Sequence, residues 1–77
     1  MEVKEEVIEL IASTLEVGKD EIKEDKTLYD SIGVDSTEMV EVVVALSKQF
    51  GVKIETNEVT KDSTPLDIAR IIESKKQ

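Results

Sequence analysis

The residues best suited to chemistry are a serine and its acidic neighbours, Asp35-Ser36-Thr37-Glu38, which follow a charged segment and precede an apolar one. Two N-cap assignments are open. If Ser36 is the N-cap, its hydroxyl accepts a hydrogen bond from a backbone N–H and is occupied. If Asp35 is the N-cap, Glu38 falls at the third helical position and completes a capping box, and Ser36 becomes the first helical residue. We prefer the second assignment because only it uses Glu38.

A serine hydroxyl at the first position of a helix is well placed to carry an anionic group. A phosphate ester there would face free backbone N–H groups and the positive end of the helix dipole. The dipeptide Asp35-Ser36 is also an ordinary helix start, however, and short motifs carry little weight alone. The surrounding sequence must therefore decide between these two interpretations.

Composition excludes most catalytic chemistry in this chain of 77 residues. The sequence has no His, the usual general base and a common metal ligand, and no Cys for a disulfide, a thiolate site or a thiol nucleophile. Without His, a serine nucleophile would need a lysine as its base. Lys48 and Lys53 are both predicted to be too solvated for this role. A calcium loop over residues 20–31 lacks the required central Gly and terminal Glu. We therefore expect neither an enzyme nor a metal site.

The charge balance also restricts the partners. With 10 Lys and Arg against 18 Asp and Glu, the net charge is −8, which disfavours nucleic acid and anionic membranes. A basic protein partner or a loosely bound divalent cation suits this charge better. No run approaches the ~18 apolar residues of a membrane span, and the start lacks a signal-peptide pattern. We expect one domain over residues 1–77, monomeric and cytoplasmic.

Apolar spacing predicts three long helices. The first carries Val3, Val7 and Ile11 at every fourth position and ends at Gly18. The second, over residues 36–50, is rich in β-branched residues, but its length and the following glycine favour a helix over a strand. The third begins at Thr64 as N-cap, with Pro65 at the first position and Asp67 closing a capping box.

Residues 19–35 connect the first two helices and are dominated by charged side chains. Single apolar residues interrupt them at Ile22, Leu28, Ile32 and Val34. We interpret this segment as a long ordered loop held by those four anchors, a feature that tends to be functional in so small a domain. The predicted fold is all-α: a small antiparallel three- or four-helix bundle with a long loop between the first two helices.

Residues 28–41, LYDSIGVDSTEMVE, resemble the signature of acyl carrier proteins. In that family the pattern approximates hydrophobic-x-x-Asp/Glu-Leu-Gly-x-Asp-Ser-Leu-x-x-Val-Glu. Residues 50–54, FGVKI, and residues 64–69, TPLDIA, are similar to later segments of the same family. The resemblance extends over nearly the whole chain, and the length, acidity and helix–long loop–helix order agree with it.

The resemblance implies a carrier and not an enzyme. Ser36 would receive 4′-phosphopantetheine from coenzyme A through a phosphopantetheinyl transferase (holo-carrier synthase), with Asp35 and Thr37 beside the attachment point. The terminal thiol of this arm would hold an acyl group for partner enzymes of fatty-acid, polyketide or related lipid biosynthesis. Residues implied to meet the basic docking patches of acyl-loading and acyl-processing enzymes are Asp35, Glu38, Met39, Val40 and Glu41. The run Val42–Val44 is either part of an acyl-chain lining or ordinary core.

Two features depart from the family pattern. Thr37 stands where a leucine is usual, and residues 36–77 carry a net charge of only −1 against −7 for residues 1–35. These departures suggest a specialised acyl or polyketide-type carrier with a dedicated partner. Two alternatives stay open: an aminoacyl, D-alanyl or peptidyl carrier, and an acidic helical adaptor that is never modified.

Overall fold

A computed structural model of the chain describes residues 2–76 and contains helices and no strand over that range. The four α-helices are α1 (Val3–Leu15), α2 (Leu28–Ile32), α3 (Ser36–Phe50) and α4 (Pro65–Lys75), with one 3₁₀ turn at Lys19–Glu21. The all-α helical bundle predicted from the sequence is confirmed. None of the helices in the described range is long and apolar enough to cross a membrane.

The core forms where α1 packs against both α3 and α4. Each of these helices buries one face, as the apolar spacing predicts, because side chains three and four residues apart lie together on a helix. The buried residues are Val7, Ile11 and Ala12 of α1, Met39, Val42, Val43 and Leu46 of α3, and Ile68, Ala69 and Ile72 of α4. Each fully buried Val, Leu, Ile or Met contributes roughly 1.5–3 kcal/mol to folding.

The prediction that Gly18 ends the first helix is wrong. The helix ends at Leu15, and Glu16 takes the left-handed conformation, with φ 56°, that glycine usually supplies. The next residue, Val17, donates its N–H to the carbonyl of Ala12 and packs against the core, which turns the chain before Gly18 is reached. Gly18 instead starts the 3₁₀ turn in an extended conformation.

The ends of the other long helices match the sequence signals. Gly51 closes α3 with φ 65°, a conformation that favours glycine. At the start of α4, the N–H of Asp67 donates to Thr64 Oγ1 at 3.0 Å and the N–H of Thr64 donates to Asp67 Oδ2 at 3.1 Å. Pro65 occupies the first position, where its missing N–H costs no helical hydrogen bond.

The long connection between α1 and α3 is ordered, and it contains the short helix α2 where the sequence pattern predicts loop. Ile22, Leu28 and Val34 are buried and Ile32 is partly buried, as predicted for the four anchors. The five residues of α2 form a helix because Thr27 caps them, accepting from the N–H of Asp30 at 3.1 Å.

Backbone hydrogen bonds attach α2 to the segment that precedes α4. The N–H of Leu28 donates to the carbonyl of Ser63 at 3.0 Å, and the N–H of Tyr29 donates to the carbonyl of Lys61 at 2.9 Å. These two amides lie in the first turn of α2, where no partner exists within the helix. The segment before α4 therefore supplies hydrogen-bond acceptors for the first turn of α2. These bonds hold the α1–α3 connection and the α3–α4 connection against each other.

Shortening the deepest anchor should loosen this arrangement. Leu28 has no exposed surface, so Leu28→Ala should lower the free energy of unfolding by about 2–5 kcal/mol, as for other buried leucines. Urea denaturation followed by circular dichroism measures the change. Val44→Ala is the control, because Val44 is 49% exposed and its truncation should change stability by about 0.5 kcal/mol or less. Equal losses in the two variants would contradict the anchoring role of Leu28.

Candidate functional site

The N-terminus of α3 is closed by a reciprocal pair of hydrogen bonds. The N–H of Glu38 donates to Asp35 Oδ1 at 2.8 Å, and the N–H of Asp35 donates to Glu38 Oε1 at 3.1 Å. Asp35 is extended, with φ −106° and ψ 177°, as an N-cap requires. The preferred cap assignment is confirmed: Ser36 is the first helical residue, and the cap does not use its hydroxyl.

Two buried residues on either side of the cap set the direction in which the chain enters α3. Val34, just before the cap, is 2% exposed, and Met39, at the fourth helical position, is 5% exposed. Both belong to the same core cluster, in the positions of a hydrophobic staple. Because these two side chains are directed into the core, Ser36 and Thr37 between them are exposed to solvent.

Ser36 lies at the edge of a groove of about 380 Å³. One wall is α3, through Ser36, Met39 and Val40. The opposite wall comes from residues 56–62, and it consists of Thr56, Val59, Thr60, Lys61 and Asp62. Val59 is fully buried in this wall, which the sequence does not predict to be part of the site. No local motif marks these residues, since only the tertiary fold brings them to Ser36.

The second wall is held by its own hydrogen bonds. The N–H of Thr60 donates to Ser63 Oγ at 3.1 Å, and the N–H of Asp62 donates to Thr60 Oγ1 at 3.2 Å. The ammonium of Lys61 lies 5.1 Å from the centroid of the Tyr29 ring, within the range of a cation–π contact. With the bond from the Tyr29 N–H, these contacts fix the backbone of the wall against α2.

The residues expected to meet partner enzymes occupy different environments. Asp35, Val40 and Glu41 are exposed, and Val40 keeps 49% of its surface accessible. Glu38 is half-buried, and its carboxylate is engaged in the cap. Met39 is buried, so its side chain contributes to the core and to the groove wall. The structure thus brings all five together at the start of α3, and three of them are exposed.

The run of three valines divides between the core and the surface. Val42 and Val43 are 1% and 4% exposed and belong to the core cluster. Val44 is 49% exposed and lies one turn beyond Val40 on the same face of α3. The interpretation of Val42 and Val43 as ordinary core describes their contacts in this structure, and Val44 extends the exposed apolar face.

Comparison with known proteins agrees with this geometry. A family model described as a phosphopantetheine attachment site matches residues 5–72, which include both walls of the groove. An acyl carrier protein of Wolinella succinogenes is 33% identical over 76 residues, covering 99% of this chain and 100% of that protein. An acyl carrier protein of Campylobacter hominis is 36% identical over 74 residues, covering 96% and 94%. One of Thermotoga maritima is 34% identical over 74 residues, covering 96% and 91%.

The fold, the exposed serine and the family match define a phosphopantetheine-binding carrier. The chain belongs to the acyl carrier protein family. This confirms the resemblance found in the sequence and the prediction of a carrier that is not itself an enzyme. Proteins of this family carry a covalently attached 4′-phosphopantetheine, and their role implies partner enzymes.

The residues present are compatible with that group. The group requires an accessible hydroxyl, and Ser36 is exposed at a helix start whose cap leaves its hydroxyl out. The adjoining groove offers the hydroxyls of Thr56 and Thr60 together with the apolar surface of Val40. This mixture suits an arm that alternates amide and alkyl segments. Within residues 2–76, no group of three or more acidic side chains is placed to hold a metal ion.

Glu58, in the turn at the beginning of the second wall, links this wall to the end of α4. Glu58 Oε1 accepts from the N–H of Glu55 at 2.9 Å, and Glu58 Oε2 lies 3.0 Å from Lys75 Nζ. The hydrogen bond from the Glu55 backbone, and then that from Lys75, lower the pKa of Glu58 below its ordinary value. A lowered carboxyl pKa stabilises the folded state above the unfolded pKa, and this contribution is lost as the pH falls through the folded pKa.

Removing the ammonium should therefore raise the pKa of Glu58 towards its ordinary value. We expect Lys75→Met to shift the NMR titration of the Glu58 carboxyl upwards, since one of the two groups that stabilise its charged form is gone. The variant should also lose less stability than the wild type as the pH falls through this range. Lys76→Met is the matched control, because Lys76 lies 5.7 Å from the Phe50 ring centroid instead. An unchanged Glu58 titration in Lys75→Met would contradict the assigned cause.

Proposed function

We propose that Ser36 is the residue to which 4′-phosphopantetheine is attached. The observation that carries this proposal is the position of Ser36, first in α3, exposed, free of the cap and at the edge of the groove. The backbone N–H groups of the first helical turn and the helix dipole favour an anion at this point. Asp35 and Thr37 adjoin the attachment point on either side.

The loading step breaks a phosphoanhydride bond of coenzyme A and forms a phosphate ester to Ser36. The Ser36 hydroxyl oxygen attacks the phosphorus next to pantetheine in coenzyme A, and a new P–O bond forms. The bond from that phosphorus to the adenosine bisphosphate portion breaks, and adenosine bisphosphate leaves. The hydroxyl proton passes to a base on the phosphopantetheinyl transferase, because this chain has no His to take it. Once attached, the arm supplies a thiol that holds the acyl group as a thioester.

Loading can be tested by intact mass. Incubation with coenzyme A and a promiscuous phosphopantetheinyl transferase should add the mass of one phosphopantetheine group to the wild type and nothing to Ser36→Ala. Ser13→Ala is the matched control, because Ser13 is also an exposed helical serine but lies in α1. It should load as the wild type does. An adduct that persists in Ser36→Ala, or no adduct on a folded wild type, would reject the attachment site.

We propose further that partner enzymes dock on the exposed face of α3. Thr37, Val40, Glu41 and Val44 are exposed. Val40 and Glu41 each lie three or four residues from Thr37 and from Val44, so the four share one side of the helix. This face is apolar at its centre and carries a single acidic residue, Glu41. A partner with a basic group for Glu41 and an apolar surface for Val40 and Val44 complements it.

These features support a specialised acyl or polyketide-type carrier with a dedicated partner. Thr37 is exposed at the start of the docking face, where the family signature has leucine, so it offers a partner less apolar surface. The acidic excess lies mostly before Ser36 and not on α3. The same arm could carry an aminoacyl or D-alanyl group, since the loading enzyme and not the carrier selects the cargo.

Placing a leucine at position 37, as in the family signature, should make this carrier a better substrate for general fatty-acid enzymes. Full burial of a leucine contributes about 1.5–3 kcal/mol, so Thr37→Leu should raise kcat/KM for loading or elongation by roughly tenfold. The measurement is acyl transfer from a general fatty-acid synthase to the carrier in its phosphopantetheinylated form.

The control for this experiment adds the same side chain elsewhere. Ser13→Leu exposes a leucine on α1 and should leave kcat/KM unchanged. This control distinguishes docking on α3 from nonspecific hydrophobic association. If the wild type is already elongated as fast as Thr37→Leu, the departures from the family pattern have no effect on partner choice and the specialised role is wrong.

We also propose that residues 1–77 act as one domain, a monomer in the cytoplasm. One core cluster draws on α1, α2, α3 and α4 together, which supports a single cooperative unit. The net charge of −8 causes electrostatic repulsion between copies of the chain and from anionic surfaces, which supports a monomer.

A further inference from the structure

Lys61 faces the groove from the wall opposite Ser36. Its backbone is held, because its carbonyl accepts from the N–H of Tyr29 at 2.9 Å. Its side chain is exposed, and its ammonium lies 5.1 Å from the centroid of the Tyr29 ring. A lysine ammonium on a flexible stem can therefore change its partner here while the backbone that carries it stays in place.

A phosphodiester on Ser36 would add negative charge to surroundings that are already acidic. Asp35 and Glu38 flank Ser36 in the cap, and Asp62 lines the groove. Among the described residues that line this groove, Lys61 is the one cation. Among the described groove residues, Lys61 is thus the side chain that can offset the negative charge of a phosphodiester attached at Ser36.

We infer that Lys61 pairs with the phosphodiester formed at Ser36 and thereby holds the root of the arm in the groove between α3 and residues 56–62. This inference rests on the proposed attachment at Ser36. A cation–π contact is weak at an exposed site, whereas a hydrogen bond between an ammonium and a phosphate oxygen is charge-assisted and stronger. Lys61 therefore leaves the Tyr29 ring when the phosphodiester is present. It acts on the bound group and needs no partner enzyme.

NMR of the loaded protein tests the pairing directly. In the unloaded protein, the Lys61 ε-methylene resonance should be shifted by the ring current of Tyr29. Loading should remove that shift, while the corresponding resonance of Lys53 should stay where it is. Lys53 is the matched control because its side chain is 88% exposed and it pairs with Glu55 at 3.6 Å, outside the groove. The ³¹P resonance of the phosphodiester should move in Lys61→Gln and not in Lys53→Gln.

The salt dependence of this NMR change distinguishes an ion pair from an uncharged contact. Raising NaCl from about 0.02 M to about 0.5 M shortens the Debye length from ~20 Å to ~4 Å. The loading response of Lys61, which is the change of its ε-methylene chemical shift on loading, should therefore fall at least about twofold. A response that is unchanged by salt, or no larger than that of Lys53, would overturn the inference. Intact mass keeps the two proposals distinct: no adduct rejects Ser36 as the attachment site, whereas an adduct without a Lys61 response rejects only the pairing.

Discussion

The site depends on the burial of three side chains from a segment that is otherwise charged and exposed. Ile22, Leu28 and Val34 are 4%, 0% and 2% exposed, and each fixes one part of the connection between α1 and α3. Ordering a backbone costs roughly 1–2 kcal/mol per residue, so a connection of this length stays ordered only if such burial offsets the cost. Two functional consequences follow from the anchors. Val34 sets the direction from which the chain enters α3, and Leu28 places α2 so that Tyr29 contacts Lys61.

The cap explains how an acidic helix start can leave its serine free. Asp35 and Glu38 satisfy each other's backbone N–H groups, so the first turn is stabilised without the hydroxyl of Ser36. Val34 and Met39 on either side are core side chains, and Ser36 and Thr37 between them face solvent. The fold thus presents the Ser36 hydroxyl beside a shallow groove, and the sequence contains no His to serve as its base. This arrangement suits a carrier, whose reactive group is supplied by a prosthetic arm and whose reactions are performed by its partners.

The parts that the sequence predicted are those determined by neighbouring residues. Helix α3 was predicted despite its β-branched residues, because an uninterrupted length, a capping box and Gly51 are all local signals. Helix α2 was missed since five residues are too few to show a helical period, although its cap residue Thr27 and the left-handed Gly33 do mark its ends. The end of α1 was placed wrongly because the packing of Val17, a tertiary effect, turns the chain before Gly18. The second wall of the groove was missed for the same reason, as residues 56–62 reach Ser36 only in the folded chain.

The distribution of charge separates two tasks of a carrier. The net charge of −8 acts at distances near the Debye length, about 8 Å at physiological salt. In the docking that we propose, this charge attracts a basic partner without selecting among such partners. Selection requires contact, and the exposed face of α3 presents Val40 and Val44, each 49% exposed, beside the single carboxylate of Glu41. Most of the acidic side chains lie on α1 and the long connection, away from that face in sequence. In the docking that we propose, the acidic half of the chain governs encounter, and the apolar surface next to Ser36 governs the choice of partner.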